Sequence, residues 1–192
     1  EFLDWKKQVV TTAPAGADYA AHNSYVGKRA KIGKGAYLEN SFILDESCVG
    51  SGSVISGVKL KNTAVPEGVV LHGLKLLDGR YVTRIYGVED NPKGTLEGAG
   101  GAGFLGSSLK DFLTANGIDT SELWTEGQEH SLWSACLYPA ASSMEESVQF
   151  ALLIWKMVRG KASQEERDAW RRAERLSLQS SFNRADVLAA GA

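Results

Sequence analysis

Hydrophobic positions recur every six residues between Val26 and Leu60. The run reads Val26-Gly-Lys-Arg-Ala-Lys, Ile32-Gly-Lys-Gly-Ala-Tyr, Leu38-Glu-Asn-Ser-Phe-Ile, Leu44-Asp-Glu-Ser-Cys, Val49-Gly-Ser-Gly-Ser-Val and Ile55-Ser-Gly-Val-Lys-Leu, five units of six residues and one of five. An aliphatic residue opens each unit, a Gly or short polar residue usually follows, and a compact side chain usually sits four places on, as at Ala30, Ala36, Cys48 and Ser53. Such a hexapeptide repeat predicts a short left-handed parallel β-helix over residues 26–68. Each unit forms a strand and a corner, and Ile32, Leu38, Leu44, Val49 and Ile55 point inward to stack on their equivalents one coil away. Ordinary amphipathic strands would not produce the six-residue spacing. With three units per coil, the stretch supplies about two coils and a partial third at 61–66, fewer than the roughly three repeats a solenoid needs. Both ends therefore require caps.

The flanks are read as those caps. Residues 1–25 form an edge segment, Phe2-Leu-Asp-Trp5 and Val9-Val10, followed by a small-residue linker. Phe2, Leu3 and Trp5 are expected either to fold over the first coil's edge or to leave it open to self-association, a route to a homo-oligomer. Residues 69–103 read as a capping β-hairpin and a Gly-rich loop, with Asp78-Gly79 as the turn signal. Alternation puts Tyr81, Thr83 and Ile85 on one strand face and Arg80, Val82, Arg84 and Tyr86 on the other. Residues 104–192 read as a helical connector domain, so the fold class is mixed, β then α. A helix over 109–116 is capped by Ser107 and closed by Gly117. After a short segment at 120–124, Ser142-Ser-Met-Glu-Glu146 opens a helix to about Arg159, apolar on nearly all sides and so expected to be buried all round. Ser163-Gln-Glu-Glu166 caps a charged, exposed helix, and residues 175–188 close the chain as another.

Composition narrows the function. The 192 residues hold one large or two small domains, and a net charge of −2 with a pI near 6 disfavours nucleic acid and anionic membranes as partners. The longest apolar run, 148–158, is too short to span a bilayer. The chain opens on Glu1 without a secretory signal and is expected to be a fragment. Cys48, placed toward the coil interior, and the distant Cys136 read as free thiols of a reducing cytoplasm. His22 has the residue type of an acyltransferase general base, but it precedes the first repeat and no histidine follows inside the repeats, so a structural role is favoured. His22, His72 and His130 share no spacing that would assemble a metal site. Gly98-Ala-Gly-Gly-Ala-Gly103 matches the dinucleotide fingerprint only formally, since no βαβ unit surrounds it. Leu105-Gly-Ser-Ser-Leu109 is similar to a kinase phosphate loop but serves equally as a helix cap. The ligand-binding candidates are Arg80 and Arg84, able to grip a phosphate from one strand side, with Asp90, Asn91 and Lys93 alongside. A solvated strand face is the competing reading. No residue is assigned a catalytic role.

The order of pieces carries a resemblance. Hexapeptides are followed by Leu71-His-Gly-Leu-Lys-Leu-x-Asp-Gly-Arg-Tyr-Val-Thr-Arg-Ile-Tyr-Gly-Val-x-Asp-Asn-Pro-Lys93, then Phe104-Leu-Gly, Leu132-Trp-x-Ala-x-Leu-Tyr-Pro139 and Arg175-Leu-Ser-Leu-x-x-Ser-Phe-x-x-Ala-Asp186. Over residues 22–188 this resembles the middle region of the bifunctional L-fucokinase/L-fucose-1-phosphate guanylyltransferase family. The resemblance implies a parent enzyme that makes fucose 1-phosphate and GDP-L-fucose with Mg2+, ATP and GTP. Its partners would then be a nucleotidyltransferase domain and a kinase domain on the same polypeptide. The first 25 residues hold no basic, Gly-rich nucleotide loop and no acidic metal ligands, so the chain itself is expected to be structural, without cofactor. A stand-alone hexapeptide acyltransferase and a sugar-phosphate or nucleotide-binding module are the alternatives.

Overall fold

The computed structural model describes residues 10–13, 16–98 and 101–186; Phe2, Leu3, Trp5 and the expectations resting on them lie outside this set. The chain divides into two compact units, Glu1–His72 and Gly73–Ala192.

The first unit is a sheet curled into a short β-solenoid of about three turns. Its strands are β1 (Val10–Thr12), β2 (Ala20–Val26), β3 (Lys31–Ile32), β4 (Tyr37–Glu39), β5 (Phe42–Ile43), β6 (Cys48–Val49), β7 (Val54–Ser56), β8 (Lys59–Leu60) and β9 (Ala64–Val65), and β10 (Val69–Lys75) carries the chain onward. All pair in parallel from coil to coil except β1, which lies antiparallel on β2. Three inward columns result: Ala21, Leu38, Ile55 and Leu71; Val26, Ile43 and Leu60; Ile32, Val49 and Val65. Leu38, Ile43, Ile55, Leu60 and Leu71 are fully buried, whereas Val26 and Ile32 in the first coil are half-exposed.

The columns correct the expected register. Successive members of the first column stand 17, 17 and 16 residues apart, so a coil falls short of three sixes. The inward residue is Ile43, not Leu44, and Ser47 rather than Cys48 is the compact interior residue, Cys48 being half-buried. The cause lies at the corners. Asn23, Asn40, Gly57 and Asn62 adopt positive φ two places after an inward residue, and each of those steps takes five residues. Gly35, Glu46, Gly52 and Gly68 do so three places after, and each of those steps takes six. Asn and Gly tolerate this left-handed backbone best. A one-residue slip exchanges the inner and outer faces of a strand, which moves the column from Leu44 to Ile43. The expected linker likewise gives way to β2, one coil-length before β4; its first inward residue is Ala21, too small to stand out in a hydrophobic pattern.

Buried hydroxyls close the interior corners. Ser24 Oγ accepts from Ser41 N at 3.1 Å and Ser41 Oγ from Val58 N at 3.3 Å. Ser47 Oγ accepts from Thr63 N at 3.4 Å and Ser53 Oγ from Val69 N at 3.2 Å. Each side chain thus satisfies an amide of the coil above, as burial requires. The glycine following Val49 is needed for another reason: a Cβ on Gly50 would collide with the backbone of Pro66 and Glu67 in the next coil.

The second unit is a small antiparallel sheet backed by helices. Strand β11 (Tyr81–Gly87) pairs with β14 (Tyr138–Ala141), and β14 with β15 (Arg175–Leu176). Between β11 and β14 lie the two-stranded hairpin of β12 (Gly103–Phe104) and β13 (Ser107–Ser108), helix α1 (Leu109–Asn116) and a 3-10 turn at Thr120–Glu122. Helix α2 (Met144–Val158) packs on β11 and β14, and α3 (Gln164–Arg172) and α4 (Leu178–Asn183) follow. The α1 cap falls on Ser108, whose Oγ accepts from Asp111 N at 3.0 Å, one place after Ser107. Ser143 and Ser163 cap α2 and α3, and Gly117 closes α1 in the left-handed conformation. Residues 138–141 and 175–176 are strands rather than helix, paired through Tyr138 with Leu176 and Pro139 with Arg175. Phe104 and Phe112 meet edge to face at 5.2 Å, and Trp170, Tyr138 and Ile154 are fully buried. Helix α2 is not buried all round: Val148, Ala151, Ile154 and Met157 are, while Phe150, Leu152 and Trp155 remain half-exposed. Among the described residues, no helix is long and apolar enough to cross a membrane.

Candidate functional site

The predicted ligand-binding residues cluster around β11, and the chain's own geometry engages most of them. The turn before β11 is built by Leu76 N donating to Arg80 O at 2.8 Å, with Gly79 at positive φ. Arg80 then enters an alternating ring of charge. Its Nη1 lies 2.7 Å from Glu174 Oε2 and its Nη2 2.8 Å from Asp78 Oδ2. Arg184 closes the ring, with Nη1 2.8 Å from Glu174 Oε1 and Nη2 2.8 Å from Asp78 Oδ2. The Arg80 guanidinium holds the Asp78 carboxyl down at about 2, and Arg80 and Arg184 together hold Glu174 below the usual carboxylate range.

Arg84 does not share Arg80's surface. It is buried, and desolvation lowers its hold on the proton. Both faces of β11 are covered: Val82, Thr83 and Ile85 are buried too, and Thr83 Oγ1 lies 2.7 Å from Ser147 Oγ on α2. Tyr138 donates its hydroxyl to Ile85 O at 3.0 Å, and burial pushes its phenol up. Alternation alone could not show that neighbours cover both faces.

Asp90 faces inward to backbone. Its Oδ2 accepts from Gly87 N and, at 2.8 Å, from Leu105 N. Leu105 and Gly106, both at positive φ, are the two-residue turn joining β12 to β13. The stretch similar to a phosphate loop is therefore a hairpin turn with one amide already held by an internal carboxylate. Asn91 Oδ1 accepts from Lys93 N at 3.1 Å, a local side-chain turn, and Lys93 and Asn91 are exposed.

The histidines stay apart. His22 and His72 lie on the outer face of the solenoid in a cross-strand column with Glu39 and Ser56 between them. Three strand spacings, about 14 Å, separate the two rings. Ser56 Oγ donates to Glu39 Oε2 at 3.3 Å. His130, in the other unit, tilts over Trp124 at 4.8 Å with Nδ1 3.3 Å from Glu97 Oε1. Among the described residues, no three His, Cys, Asp or Glu side chains are grouped to hold a metal ion. An open groove of about 200 Å³ on α2 is lined by Gln149, Phe150, Leu153 and the Lys156–Glu166 ion pair. Sequence reasoning missed the roles of Glu174 and Arg184, which lie 94 and 104 residues beyond Arg80 and meet it only through the fold.

Comparison with known proteins identifies the chain's relatives. The family model described as "Fucose pyrophosphorylase domain" matches residues 3–143. A fucose-1-phosphate guanylyltransferase from Mus musculus is 29% identical over 145 residues, covering 71% of this chain and 25% of that protein. An L-fucokinase/L-fucose-1-P guanylyltransferase from Bacteroides fragilis is 27% identical over 158 residues, 81% of this chain and 15% of that protein. The Homo sapiens fucose-1-phosphate guanylyltransferase is 28% identical over 149 residues, 73% of this chain and 24% of that protein. The chain thus spans a quarter or less of the length of these curated relatives. No solved structure matches it significantly.

Proposed function

The chain belongs to the fucose pyrophosphorylase family, and from that membership we propose that it is part of a fucose-salvage enzyme, serving as a structural joint rather than as a catalytic centre. The parent activity would be guanylyl transfer to fucose 1-phosphate, with fucose phosphorylation where a kinase domain shares the polypeptide, in the cytoplasm and with Mg2+, GTP and ATP bound outside this segment. The joint would space and orient those domains. One observation carries the structural reading: within the quoted stretch from Leu71 to Lys93, Arg80 is neutralised by Asp78 and Glu174, Arg84 is buried, and Asp90 is spent on the amides of Gly87 and Leu105. A phosphate-gripping site instead presents its donors to the ligand. The coils are proposed to wind left-handed on a six-residue unit shortened to five where Asn or Gly turns the corner early, as at Asn40.

The test uses the full-length polypeptide that carries this chain. Asn91→Ala and Lys93→Ala, exposed positions of the candidate surface, should leave guanylyl transfer and its KM for fucose 1-phosphate unchanged. Gly50→Val, which breaks the coil stack, should lower the folded yield and both activities together. A raised KM with unchanged folded yield in the Lys93 variant would mean that this surface binds substrate.

A further inference from the structure

The four-charge ring has a position that its chemistry alone does not explain. Residues 175–186 form a strap: β15 adds to β14, α4 follows with Leu178 and Ser181 buried beneath it, and the chain returns to the turn before β11. At that return, Leu77 N donates to Arg184 O at 2.9 Å, Asp186 N donates to Lys75 O at 2.7 Å, and Leu76 bridges Ala185. Midway, Gln179 N donates to Trp133 O at 3.1 Å and ties the strap's backbone to an earlier loop. Glu174 sits immediately before the strap, Arg184 near its end, and Asp78 and Arg80 on the turn that receives it. The ring therefore links both ends of the strap to one tight turn.

We propose that Asp78, Arg80, Glu174 and Arg184 act as a salt-sensitive latch that holds the strap of residues 175–186 closed on the turn before β11. Single exposed ion pairs contribute little, but a network in which every charge meets two of opposite sign, each guanidinium bridging two carboxylates, is the case where surface pairs matter. The side chains are 35–51% exposed, so dissolved ions reach them. At about 1 M salt the Debye length shrinks to about 3 Å, comparable to the pair distances, and the ring should loosen. The strap then opens as a local unit, because few backbone bonds close its far end. This proposal concerns the chain alone and stands or falls separately from the fucose-enzyme reading.

Hydrogen exchange at the Leu77 and Asp186 amides, the two donors that close the strap, reads the latch directly. Raising NaCl from about 20 mM to about 1 M should speed exchange at both by roughly 5- to 30-fold, while the Ile154 amide inside α2 stays unchanged. Arg184→Gln should show the same acceleration already at low salt and no further response to salt. Exchange at Leu77 and Asp186 that ignores salt in the unaltered chain would overturn the proposal without any variant. So would an Arg184→Gln chain as salt-sensitive as the original.

Discussion

Replacing Ile43 by alanine tests the register of the solenoid, because the neighbouring Leu44 offers a control that differs by one position. Ile43 is fully buried and stacks between Val26 and Leu60, whereas Leu44 is half-buried. Truncating isoleucine to alanine removes three carbons, worth about 0.8 kcal/mol each in transfer, or about 2.4 kcal/mol. The cavity left between two stacked aliphatics adds to this, so the expected loss is about 2–5 kcal/mol. Leu44→Ala removes the same number of carbons from a partly wet site and should cost less than half as much. Urea titration of both variants, followed by circular dichroism, reads the difference as a shift in midpoint at constant slope. If Leu44→Ala proves the costlier, or the two are equal, the six-residue register read from the sequence is right and the five-residue step at Asn40 is wrong.

Further expectations follow from the same geometry. Ser41→Ala leaves the buried amide of Val58 without its acceptor and should cost about 1–3 kcal/mol in the same titration; an unchanged midpoint would mean the interior hydroxyls are dispensable. Asp90→Ala strips an acceptor from the amides of Gly87 and Leu105 and should cost about 1–3 kcal/mol, against about 0.5 kcal/mol or less for Lys93→Ala; a reversed order would return the loop to a ligand-binding reading. Acid should release the strap: Asp78 is held at about 2 against an ordinary value of 3.8, and Glu174 is also depressed. Their stabilisation is therefore complete above about pH 5, beyond the ordinary values of both carboxyls, and is lost as pH falls toward 2. Protection of the Asp186 amide that stays flat from pH 5 to 2 would contradict this.

The sequence displayed the parts of the fold that depend on local chemistry. Ser163 with Glu166 and Gly117 at the end of α1 were legible because each acts within a few residues of itself, and the solenoid's aliphatic period was legible because it repeats. The slip from Leu44 to Ile43 was readable in principle, since Asn40 falls two places after Leu38 where Gly35 falls three after Ile32. The start of β2 was hidden because its first inward residue is Ala21, which does not register as a hydrophobic peak. The strands at 138–141 and 175–176 do not show in the sequence, because such short strands owe their shape to the sheet that receives them rather than to their own pattern. The surroundings of the candidate residues were hidden for a related reason. Whether Arg84 meets solvent depends on what the fold lays over β11, and the pairing of Arg80 depends on Glu174 and Arg184, 94 and 104 residues further on.

The central claim, that this segment is a joint and not a catalyst, is tested most directly by product formation from the purified chain. Incubated with fucose 1-phosphate and GTP, or with fucose and ATP, each with Mg2+, a chain shown by circular dichroism to be folded should yield GDP-L-fucose and fucose 1-phosphate only at the level of the protein-free blank. Product that rises in proportion to chain concentration in either reaction would contradict the account.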